Sequence, residues 1–244
     1  MLGAEGMGAL TRAPPQEPMM PFAALDKDDA DFGTMMVALA ATEGSASHRY
    51  IVSIELNADP LAMRNLADVV HLLSMLHGGH PGLIEIAADR NVLPQADAWF
   101  QQAVAAFAVE RAYLAQLLVA AGPVPGTPGE TETAATIANQ RHAFTTIATS
   151  DRFGCALGAA AALALDWQSI RTVLDTGAAR LGLRPVRSLV PDEQTTAHVL
   201  AHMPEQPRIA RTLTFGARQL LMQHRGVWDL LEVRAAARRA QDAR

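Results

Sequence analysis

Eight histidines are the side chains in this sequence best suited to hold a metal or to move a proton. His71, His77 and His80 fall within ten residues. Asp68 lies three residues before His71, so imidazoles and a carboxylate could meet beside the Gly78-Gly79 turn. His198 and His202, four apart in AHVLAH, share one face of a helix, the spacing two imidazoles need to bind one ion. The HExxH pattern would need Glu after the first histidine, and Val199 stands there. The metal candidates are therefore Asp68, His71, His77, His80, His198 and His202. A structural reading competes with them. It puts Asp68 and His71 on a wet helix face, His77 at a helix end, and His198 and His202 at or near the surface. No cofactor is strongly implied, and a metal ion is left open.

A second set of candidates comes from charges on apolar faces. Glu110 shares a helical line with Ala103, Ala106, Tyr113 and Leu117, and Arg141 shares one with Ile137, Phe144 and Ala148. An unpaired charge there is costly. One arrangement is an internal ion pair that fixes helix register, Glu110 with Arg141 or either with Asp151 or Arg152. Another is a pocket for a small acidic ligand built from Glu110, Arg141, His142, Asp151 and Arg152. A third is that the long side chains simply reach water.

Other chemistries are poorly served. No Glu is followed three residues later by His, which counts against a ferritin-like di-iron site. A haem needs as little as one histidine, but nothing favours it. There is no G-x-S-x-G, no Walker A motif and no dinucleotide fingerprint. The lone Cys155 sits among apolar residues and reads as a small buried hydrophobe. The run from Asp26 to Asp31 lacks the alternation and closing Glu of a calcium loop, so it reads as a solvated helix entrance.

These residues must be positioned by helices. Residues 153–165, FGCALGAAAALAL, carry no charge and little bulk, and Gly154 and Gly158 fall on one face. Thirteen residues are too few to cross a bilayer, so this stretch is expected as a buried central helix. Asp59-Pro60 has the form of a helix start, and that helix should end at Gly78-Gly79. Pro94 should open a helix ending at Gly122, and Thr127 to Glu130 has the capping-box form for the next. Asp166 is expected to cap a helix ending at Gly182. Further helices are expected at 192–203, at 208–224 and from 227 into the tail. Residues 50–56, YIVSIEL, alone have strand character.

Alanine makes up much of the apolar half of the composition, which favours helix. Of the twenty basic residues only Lys27 is lysine, a bias that suggests a bacterium with a GC-rich genome. The net charge of −5 and pI near 5.9 argue against general nucleic-acid binding. From residue 204 onward eight arginines face four acids, a mildly basic end. No secretory signal is legible in residues 1–21, and the expected location is the cytoplasm.

The strings HGGHPGLIEIAA (77–88) and SDRFGCALGAA (150–160) resemble segments of an uncharacterised, all-helical family from alphaproteobacteria. That resemblance covers about residues 60–185. It implies a helical fold and carries no site onto this chain.

The expected architecture is an all-α, single-domain bundle of about eight helices around a buried Gly/Ala-rich helix. A flexible arm (1–33) precedes a bundle domain (34–236), and a frayed basic tail (237–244) follows. The expected function is a non-catalytic binding or interaction module, with no membrane span and possible homo-oligomerisation. The alternative is a metal- or cofactor-dependent enzyme on a ferritin-like or haem-oxygenase-like bundle.

Overall fold

The longest helices cross where each offers a glycine to the other's backbone. A Cβ on Gly158 would lie 2.0 Å from the Leu213 carbonyl oxygen, and one on Gly216 would lie 2.0 Å from that of Cys155. Helices α7 (Cys155–Arg180) and α9 (Pro207–Asp242) can therefore approach only because both positions lack a side chain. The computed structural model describes residues 31–58, 60–203 and 206–243. Among these the remaining helices are α1 (Phe32–Glu43), α2 (Ile54–Asn57), α3 (Ala62–His77), α4 (Leu83–Asp89), α5 (Asp97–Ala121), α6 (Glu130–Ala148) and α8 (Glu193–Ala201). Two 3-10 turns complete the described elements, and no strand is present among them. The fold is all-α, with one apolar core running from Met36 in α1 to Ala235 in α9.

Residues 157–164 of α7 are buried on every side, as an all-apolar helix must be. Besides α9, α7 packs on α1, α3, α4, α6 and α8, and touches α5 more lightly. By length and composition α5, together with the turn before it, could cross a membrane. Its Glu110 is instead ion-paired inside the protein, and Trp99, Phe100, Phe107 and Leu114 pack in the core.

Several expectations need correction. The 153–165 and 166–182 segments are one helix: Asp166 is no cap, because its carboxylate is taken up by Ser45 and His224. The segments on either side of Gly226 are likewise one helix, α9. A mid-helix glycine costs roughly 1 kcal/mol relative to alanine. A Cβ here would lie 2.9 Å from Gln140 Nε2, so packing explains the residue. Residues 50–56 form no strand; Ser53 caps the short α2, and Tyr50 and Leu56 turn into the core. Helix α6 starts from Gly129 in the left-handed region rather than from a Thr127 cap. The tail from 237 is helical to Asp242, and Arg238 is buried, so it does not simply fray into solvent. Asp31 caps α1 by accepting from the Thr34 amide at 2.7 Å; residues 1–30 of the expected arm, and Asp59 of the expected helix start, lie outside the described residues.

Candidate functional site

The loop between α6 and α7 and the first turns of α9 enclose an open groove of about 1020 Å³. The loop is clamped. Gly154, at φ 86°, turns the chain into α7 in a conformation that favours glycine, and the Thr212 hydroxyl donates to the Phe153 carbonyl at 2.6 Å. Arg152, Arg208 and Arg211 line the groove with the exposed rings of Phe153 and Phe215. The Arg152 guanidinium lies over the Phe215 ring, 4.9 Å from its centre. Arg211 donates through Nε to the Pro207 carbonyl at 3.1 Å, inside its own helix. Asp151, the one carboxylate among the described lining residues, accepts from Arg90 at 2.9 Å across the loop. A smaller hollow of about 220 Å³ on that side shares residues 150–153. Among the described residues the groove lining has no histidine or cysteine. What it offers is positive charge beside aromatic surface.

The ligand candidates divide. Asp151 and Arg152 belong to this groove. Glu110 does not: it is buried and accepts both of its 2.7 Å bonds from Arg171 Nη1, not from Arg141. Arg171 also donates to Asp175 at 2.7 Å and to the Val186 carbonyl, and it lies 4.0 Å over Tyr113. Arg141 is exposed beside Gly79, and His142 is exposed. The expected Glu110–Arg141 pair is thus replaced by one whose arginine comes from α7.

The candidate histidines His71, His77, His80, His198 and His202 do not meet at one point. His71 Nε2 donates to the Gly122 carbonyl at 2.9 Å. His80 is exposed. His198 and His202 are exposed and lie against each other with their rings tilted by 46°, and His202 Nδ1 donates to the His198 carbonyl. Asp68 is not on a wet face. It is fully buried and accepts from Arg234 at 2.8 and 3.0 Å and from Arg238 at 2.5 Å. Asn65, Thr127 and Thr133 accept further guanidinium hydrogens of that network. None of the six metal candidates joins a group able to hold an ion among the described residues.

His77 has a different role. Its Nε2 lies 3.1 Å from Nε2 of His224, and His224 Nδ1 lies 2.6 Å from Asp166. Asp166 also accepts from the Ser45 amide and hydroxyl at 2.6 Å, and Trp228 donates to that hydroxyl at 2.8 Å. Burial, and then the neighbouring His224, hold the His77 imidazole well below its usual range, so it is neutral at pH 7. This buried relay lines neither the groove nor the hollow.

The group that does gather ligand atoms is His48, Asp229 and Glu232. Its hydrogen bonds oppose a metal. The Tyr50 amide donates to His48 Nδ1, which leaves the proton on Nε2, and Nε2 meets Asp229 at 3.0 Å. Arg49 already neutralises Glu232 at 2.8 Å.

A family model described as a family of unknown function, DUF6975, matches residues 40–239. The chain belongs to this family. No curated protein and no solved structure matches the chain significantly. The family span takes in the groove lining and both buried networks, well beyond the 60–185 stretch carrying the resemblance. Its description brings no activity to this chain.

The sequence reading missed Arg171, Arg208, Arg211, Phe215, His224, Arg234 and Arg238. A signal existed for some: Leu220, His224, Val227, Leu231, Arg234 and Arg238 continue one buried line down α9. A charge that continues an apolar stripe is a candidate for a buried, paired one.

Proposed function

We propose that the protein is a non-catalytic interaction module whose groove between the 150–153 loop and α9 receives an anionic partner. One observation carries this. Arg152, Arg208 and Arg211 converge there without a carboxylate partner among the described residues, beside two exposed phenylalanines, on a chain of net charge −5. Such a chain repels anions at long range, so concentrated positive charge makes this face distinct. The exposed rings supply apolar contact of the kind found at interfaces. The groove is open rather than enclosed, which suits a segment of another macromolecule better than a small ligand that must be largely buried. A second copy of this chain is the weaker occupant, since a two-fold contact through this face would set arginine against arginine.

Fluorescence anisotropy with a fluorescein-labelled polyglutamate peptide tests the reading. Saturable, salt-weakened binding is expected, and the triple variant Arg152→Glu, Arg208→Glu, Arg211→Glu should abolish it. Binding unchanged by the triple variant would remove the groove from consideration.

A further inference from the structure

The groove is one end of a longer feature. Arg208, Arg211, Phe215, Arg218, Met222 and Arg225 are spaced 3, 4, 3, 4 and 3 residues apart along α9. The first five are exposed, and Arg225 is half-buried. This is the heptad spacing of a helix–helix seam, here facing outward with no helix on it among the described residues. Phe215 and Met222, seven apart, are 42% and 54% exposed and form its apolar positions. The stripe joins the first groove to a second cleft of about 760 Å³ lined by Arg218, Met222 and Arg225 with Glu43 of α1. We infer that this stripe, residues 208–225 of α9, docks an acidic amphipathic helix of a partner protein, an inference that rests on the binding reading above.

Charge complementarity selects the occupant. Each acid lining the two clefts among the described residues is already engaged: Asp151 with Arg90, Glu43 with Arg218, and Asp229 with His48. Arg152, Arg208, Arg211 and Arg225 have no carboxylate partner among the described residues; Arg225 donates only to the Ser47 hydroxyl, at 2.8 Å. The next two heptad positions, Asp229 and Glu232, reverse the sign and are held by His48 and Arg49, so the footprint ends at Arg225. Its length is about 26 Å, or roughly five turns of a docked helix. The partner places apolar residues seven apart on Phe215 and Met222, with Asp or Glu beside them. An extended peptide would gain less, because the α9 backbone is bonded within its own helix and has no edge to offer. A single-stranded nucleic acid would stack on phenylalanine but not on Met222, and it would approach a chain of net charge −5.

The test uses the full chain and three labelled probes: a helical peptide with Leu every seventh residue flanked by Glu, a permuted peptide of the same composition, and a thymidine oligonucleotide. Two variants accompany them, Arg208→Glu with Arg211→Glu and Met222→Glu with Arg225→Glu, each checked for helicity by circular dichroism. The inference expects the heptad peptide to bind at least about tenfold tighter than the permuted one and the oligonucleotide, and each variant to weaken it about tenfold or more. Equal binding of both peptides, sensitive only to the first variant, would overturn the docked helix while leaving the groove reading standing. Binding of neither peptide would overturn both. Preferential binding of the oligonucleotide would replace the helix with a nucleic acid.

Discussion

Arg234 and Arg238 lie on the inner face of α9, and Arg208 and Arg211 lie on its outer face near the other end. The inner pair is 2% and 1% exposed, and its donors meet Asp68, Asn65, Thr127 and Thr133. The outer pair meets water and one backbone carbonyl of its own helix. Residue type and helix are the same; the difference is whether another element brings an acceptor. Helix α3 brings Asp68 and Asn65 to the inner face. A guanidinium is costly to bury unless its nitrogens find acceptors, and each nitrogen of these two has one, so the inner arginines report on the register of α3 against α9. An exposed guanidinium costs little to leave free, so the outer ones are available for binding.

The strongest way to break this contrast is to remove the shared acceptor. Asp68→Ala leaves two buried guanidiniums facing each other without their carboxylate. It should destabilise the protein by about 3–5 kcal/mol, read from urea unfolding followed by circular dichroism. A loss below about 1 kcal/mol would mean that water reaches the network and that the inner arginines are not truly buried. The next effect belongs to Glu110 and Arg171. Glu110→Ala and Arg171→Ala should each be strongly destabilising, and the double variant should cost less than their sum by roughly 0.5–3 kcal/mol. The Glu110→Ala, Arg141→Ala pair should add to within about 0.5 kcal/mol, because these side chains do not meet.

Much of the bundle was legible because its signals are local. Gly78, Gly122 and Asp192 end or cap helices close to where composition and spacing put them. Gly158 stood out as part of a small-residue face, and the structure puts it against the Leu213 backbone. What could not be read was pairing at long range. Asp166 has the residue type of a cap, yet its partners Ser45 and His224 lie 121 and 58 residues away. Glu110 was correctly suspected of needing a cation, but the helical pattern could not choose between Arg141 and Arg171. The inner line of α9 was obscured by the expected break at Gly226, since Leu220 and His224 join Val227, Leu231, Arg234 and Arg238 only over an unbroken helix.

A smaller effect sharpens the contrast from the inner side. His77 is buried with its pKa held well below the imidazole range, first by burial and then by His224. In the unfolded chain it titrates near its ordinary value of about 6.5. Above that pH both states are neutral at this site and stability is unaffected. Below it the unfolded chain takes a proton that the folded one refuses, so stability falls as pH drops. The slope from this one group approaches about 1.4 kcal/mol per pH unit. Chemical denaturation at pH 7, 6 and 5 should show the fall, and His77→Gln should flatten it.

The smallest stability effect is expected at the outer arginines. Arg208→Ala with Arg211→Ala removes two exposed charges, one of which bonds only to a carbonyl of its own helix. The unfolding free energy should change by no more than about 0.5 kcal/mol. Within that limit the expected sign is a slight gain, because both positive charges sit in the first turns of α9, where the helix dipole disfavours them. That placement is the informative part. Arginines that oppose the dipole and pair with no carboxylate among the described residues do nothing for the fold that alanine would not do. A measured loss above about 1 kcal/mol would show that they hold the structure together, and the division between an inner face for folding and an outer face for binding would fail.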